Sequence, residues 1–310
     1  MLDRNCRRAA VPAVGRLRCA RACSCAAALA VALLAACAPA RAEWLYDLRV
    51  GASFDDNLSR AQRASDVRSD AAATAAASAG WFQALSGADG VTLSLEAAAE
   101  SYARFHALNL VSLGGRADYR HKFGLGYAAP WIAIAVGAAH DDFRARIRDS
   151  DRLDASVEFG RRFTETFDAS LGTALDRRIA RNDHPVVPGV SGKPFDLRGQ
   201  SAFARAAFDV DERLEIGARL ALRRGDVEST TRRNLEIFEA SDAIAADPAF
   251  GPDFYAYRLR GTTMSGAASL SWALSDHKSL NFGYAVARTR SYDGLAYTNR
   301  IGTIVLVFAY

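Results

Sequence analysis

The chain has 310 residues, 50% hydrophobic and 24% charged, with 39 basic against 35 acidic side chains. Seven arginines and one aspartate fall in the first 42 residues, so 32 basic and 34 acidic residues follow, a net charge of −2 that gives no ground for nucleic-acid binding. All five cysteines also precede residue 43, which excludes thiol catalysis and cysteine-held metal or iron–sulfur centres from the remainder.

Residues 1–42 read as a secretory signal peptide. Arginines from Arg4 to Arg21 precede an apolar run, Ala26 to Ala36, that is shorter than the ~20 residues of a membrane-spanning helix. Ala40-Arg41-Ala42 then places small residues where a signal peptidase reads them, so cleavage is expected after Ala42. Leu34-Ala35-Ala36-Cys37 is the competing signal, since it resembles the lipobox of bacterial lipoproteins, and that resemblance implies lipidation at Cys37.

From Trp44 onward apolar residues recur at period two, the mark of half-buried strands. Tyr46, Leu48, Val50, Ala52 and Phe54 face one way in the first segment, with Asp47, Arg49, Gly51 and Ser53 opposite. The second, Ala71 to Leu85, is so alanine-rich that propensity favours helix, and only Trp81 and Phe82 before a turn argue for a strand. The third sets Val91, Leu93, Leu95, Ala97 and Ala99 against Thr92, Ser94, Glu96 and Glu100. Equivalent splits follow in 111–123, 153–163, 167–179, 214–222 and 280–286, whereas 131–138 loses phase near Phe143.

Short links at 86–90, 121–126, 164–166, 209–213 and 275–278 alternate with longer, charged ones at 55–70, 144–151, 181–196, 223–253 and 291–299. A tight turn near His106–Asn109 is the exception on the long side. Short turns on one side and long loops on the other are the signature of a transmembrane barrel. The expected fold is all-β: an antiparallel up-and-down barrel over 43–310 with about twelve strands, in a range of ten to fourteen. The range is open because 223–253 has room for a short helix or a further hairpin. Trp44, Trp81, Phe82, Tyr119, Phe123, Trp131, Phe163, Phe167, Phe208, Trp272 and Tyr310 near the short-turn side are expected to form an interfacial girdle.

In such a barrel the polar faces line a lumen. Arg49, Glu96, Glu100, Arg104, Arg116, Asp118, Arg120, Asp154, Glu158, Arg162 and Arg219 are the candidates for solute binding or selectivity. They need water or ionic partners, so the lumen is either a hydrated channel or an interior sealed by Arg–carboxylate pairs. No phosphate loop, zinc spacing or nucleotide fingerprint appears, and neither cofactor nor metal is expected.

The last strand carries Gly302, Ile304, Leu306, Phe308 and Tyr310 on one face and ends on the aromatic. It resembles the C-terminal assembly signature of Gram-negative outer-membrane β-barrels. That resemblance implies an outer-membrane location, handling by periplasmic chaperones and the barrel-assembly machinery, and contact with lipid bilayer and lipopolysaccharide. Gly51 to Ala61 and Tyr297-Thr298-Asn299-Arg300 are similar to the first and last loops of β-barrel porin-type proteins and of the barrel domain of surface lipoprotein assembly modifiers. The helical-repeat domain of those modifiers is not expected, because Trp44 already begins a strand. No histidine sits in the His-x-Ser-Asn-Gly setting of outer-membrane phospholipases. His140-Asp141-Asp142 with Asp55-Asp56 resembles the acidic rim of outer-membrane aspartyl proteases, where carboxylates beside an imidazole could activate water. Loop acids solvated or bridged by cations explain the same residues, and no catalytic residue is assigned. The expected function is a channel or export conduit for polar, including anionic, solutes; the alternatives are a plugged structural or adhesive barrel and, third, a rim hydrolase.

Overall fold

The computed structural model describes residues 42–310. The expected signal peptide and the lipidation candidate Cys37 lie outside the described residues, apart from Ala42, which opens the first strand. Nine strands run in succession: β1 Ala42–Asp55, β2 Asp70–Ala84, β3 Asp89–Tyr102, β4 Leu110–Lys122, β5 Trp131–Phe143, β6 Ser150–Arg162, β7 Phe167–Ala180, β8 Leu197–Asp209 and β9 Leu214–Arg232. A one-turn helix, α1 Leu235–Glu239, and a short strand, β10 Ala243–Ala246, precede β11 Phe254–Ser275, β12 Lys278–Ser291 and β13 Ala296–Ala309.

β1 to β9 and β11 to β13 pair antiparallel in succession, β9 pairs with β11, and β13 returns to β1, closing a barrel of twelve strands, while β10 pairs only with the start of β11 outside this ring. At the seam Tyr46 and Tyr310 exchange both backbone hydrogen bonds, each 2.8 Å. Closure leaves no unpaired backbone edge, the condition for a sheet in hydrocarbon. The outer face supplies the matching surface: Leu95, Leu113, Leu171, Leu220 and Met264 are each more than 60% exposed. Ala71, Ala73, Ala75, Ala77 and Ala79 of β2 also face outward, and its helix propensity is overridden because β1 and β3 offer complete ladders on both edges.

The links at 85–88, 123–130, 163–166, 210–213 and 276–277 lie at one end, together with Ala42 and Tyr310. The loops 56–69, 103–109, 144–149, 181–196, 233–253 and 292–295 lie at the other. Two expectations require correction. The fifth long loop is shorter than 223–253 because β9 and β11 continue past the barrel wall, and the segment left between them holds α1 and β10. The girdle also loses two members. Trp44, Trp81, Phe123, Phe163, Phe208 and Trp272 do face outward near the short-turn end, but Phe82 and Trp131 share the face of Glu96 and Arg116 and point inward.

Candidate functional site

The long-loop end of the barrel is covered. The continuation of β9 and β11 leaves the wall along a row of cross-strand glycines, Gly199, Gly225 and Gly261. Gly225 has φ +150°, and a Cβ there would press on the Arg198 carbonyl and Gly199, so only glycine fits the bend. Beyond it, Asp226 to Thr231 are buried on both faces, which a strand standing in solvent would not be. Ser59 and Arg60 of the first loop receive hydrogen bonds from Thr230 and Ser229.

All six long-side loops contribute to the cover. Phe105 meets Phe250 edge-on at 5.2 Å; their loops hang from β3–β4 and β9–β11, six strands apart in a ring of twelve, so this contact spans the diameter. Leu108, Ala249 and Phe254 pack around it. Val227, Ile237, Ile244, Tyr257, Leu259, Leu295 and Tyr297 form a second buried cluster, and Ala145, Ile147, Phe195, Ala245 and Ala256 a third. An ion pair fastens the cover: the Arg148 guanidinium donates to Asp247 at 2.6 Å, beneath Phe195 at 4.4 Å, and the Asp247 side chain is 0% exposed. Thr230 also donates to Asp247. This cap escaped the sequence reading, although the aromatic residues Phe195, Phe238 and Phe250 in supposedly solvated loops were its signal.

Below the cap the inner wall is uneven. Strands β11 to β13 present small or neutral groups such as Thr263, Ser265, Ser269, Ser271, Asn281 and Thr303. Strands β3 to β9 carry the charges. Arg116 grips both Asp118 oxygens at 3.0 Å and reaches Asp154 at 3.3 Å. Glu158 accepts from Ser170 and from Arg205, and Arg223 binds Asp176 through two N–H groups at 2.9 and 2.6 Å. Arg162 lies 3.9 Å from Asp209, and on β1 Arg49 pairs with Asp47. Glu100 accepts from Tyr102, and Glu96 lies inward between Ser78 and Gly114. The Arg120 guanidinium carbon lies 4.2 Å from the centre of the Trp131 ring, and that of Arg219 4.8 Å from the centre of Phe203.

Arg104 is the exception among the lumen candidates. It lies past the end of β3, bonded to Ser69 and Asp70 at the loop end, because the strand alternation does not extend that far. Trp131 and Phe203 were overlooked as lining residues; the outward phase of Ile132, Ile134 and Val136 already puts Trp131 on the inner face.

The acidic rim does not assemble into a water-activating group. His140 faces outward to Asp151 at 3.0 Å, whereas Asp141 faces inward to Ser112 and Arg152. Asp151 is further held by both arms of Arg181, whose protonated form that carboxylate stabilises. Asp55 and Asp56 bind Asn57, Asn299 and Arg300 and so shape the first and last loops.

Neither a protein-family model nor a curated protein matches the chain. Among solved structures it is similar to an outer membrane channel from Pseudomonas putida F1, with TM-score 0.53 and 11% identity over 88% of this chain and 97% of that one. The outer membrane channel DcaP of Acinetobacter baumannii aligns at TM-score 0.45 and 9% identity, over 88% and 98% of the two chains. The NanC porin aligns at TM-score 0.45 and 9% identity, over 85% and 98%. The fold is that of an outer-membrane β-barrel, and the outer membrane of a Gram-negative bacterium is where such a barrel resides.

Proposed function

We propose that the protein is an outer-membrane channel for small polar solutes whose outer mouth is closed by a loop cap that must part for passage. One observation carries this. Inside the closed barrel, the Arg49, Arg205 and Asp154 side chains remain 59%, 47% and 50% exposed. An interior sealed by packed ion pairs would bury them, so the charges face water in the lumen. The likeness to the Pseudomonas putida protein, itself described as an outer membrane channel, accords with this.

The cap favours a second reading, a surface barrel that conducts nothing. Reconstitution into planar bilayers separates the two. A gated channel gives rare conductance steps in the wild type and frequent ones once the cap is loosened. A barrel silent in both forms is a structural one. Handling by chaperones and the barrel-assembly machinery, through the outward face Gly302 to Tyr310, is part of the same proposal.

A further inference from the structure

Two aromatic side chains lie flat on the inner wall because each covers a glycine of the next strand. A Cβ on Gly160 would strike the Trp131 ring, and one on Gly172 would strike Phe203. Gly160 and Gly172 belong to adjacent strands, with Glu158 directly across from Gly172 and Ser170 directly across from Gly160. The two rings therefore tile a single patch, and arginines sit on both: Arg120 on Trp131, and Arg205 and Arg219 on Phe203 at 4.9 and 4.8 Å.

The charges of this patch do not cancel. Arg205 and Arg219 are direct cross-strand partners, an arrangement that repels unless an anion lies between or beside them. Glu158 answers Arg205 at 3.2 Å, but among the described residues no carboxylate lies within ion-pair distance of Arg219 or Arg120. Both are exposed to the lumen. A guanidinium held over an aromatic ring keeps N–H groups that the ring leaves free to donate to an anion.

We propose that Arg120 and Arg219, with Arg205, form a subsite for the carboxylate groups of small organic anions entering the lumen. Glu158 serves as the built-in competitor for Arg205. Because the barrel wall and bilayer are of low dielectric, the clustered positive charge of this patch draws anions to it across the lumen. The subsite presupposes the water-filled lumen proposed above, but its occupancy can be measured without any current through the cap.

The test is calorimetric titration of the mature, detergent-folded barrel with succinate, using neutral succinamide as control. Succinate is expected to release heat and succinamide none. Arg219→Gln and Arg120→Gln should each weaken succinate roughly tenfold, the loss of one charge-assisted contact. Glu158→Gln should strengthen it severalfold by releasing Arg205. Equal heats for the two titrants, or succinate affinity unaltered in both arginine variants, would overturn the subsite even if the barrel conducts. Succinate binding as expected in a barrel that never conducts would leave the subsite standing and remove the channel.

Discussion

Replacing Asp247 with alanine tests the cap at its most vulnerable point. The carboxylate accepts from Arg148 at 2.6 Å, from Thr230 at 3.3 Å and from the backbone of Ala249 at 3.2 Å, all out of contact with solvent. Its removal leaves the Arg148 guanidinium buried between Phe195 and Phe250 without a counter-charge. An orphaned buried charge costs about 3–5 kcal/mol. The pair joins loop 144–149 to loop 233–253, so the strain is relieved by the loops parting rather than by strands separating. About 3 kcal/mol corresponds to roughly a hundredfold shift in the closed-to-open ratio. Single-channel recording should therefore show Asp247→Ala open far more often than the wild type at the same voltage. The double replacement Arg148→Met with Asp247→Leu, apolar on both sides, should return the channel to its closed state. Wild-type open probability in an Asp247→Ala barrel that keeps its heat-dependent shift on gels would refute the latch.

Gly225→Ala, forced into a backbone region side chains avoid, should also raise open probability, since the bent hairpin could no longer lie across the mouth. Leu95→Arg should lower barrel stability by about 2–4 kcal/mol in bilayer unfolding titrations, whereas Ser94→Arg, one residue away on the lumen face, should be tolerated. Gly160→Ala should displace Trp131, shift its fluorescence and destabilise the barrel by about 1–3 kcal/mol. Deleting Tyr310 removes both seam hydrogen bonds and the ring stacked on His277 at 5.1 Å, and the yield of folded barrel in membranes should fall.

The barrel itself was legible because lipid and lumen impose opposite chemistry on successive residues. Leu48 and Arg49, or Leu95 and Glu96, declare their faces without help from any neighbour. Strand β2 was the harder case: its alanines carry little contrast, and only the ladders from β1 and β3 decide its conformation. The cap could not be read by the same rule. From Asp226 to Thr231 both faces of the strand are buried, so period two vanishes where the hairpin bends inward. Phe105, which meets Phe250, and Arg148, which pairs with Asp247, come from loops more than 95 residues away, which no local pattern encodes. The inner site was half visible. Its arginines stood out by phase, but the aromatic tiles under them depend on two glycines across neighbouring strands.

Because six separate connections must meet to build the cap, it cannot take shape until the last strand has joined the first. Closure of the wall thus precedes the finished seal, and on the channel reading proposed above a newly closed barrel would conduct until Phe105 meets Phe250. On that reading, cells making a variant with a defective Arg148 would be expected to take up small polar solutes faster than cells making the wild type.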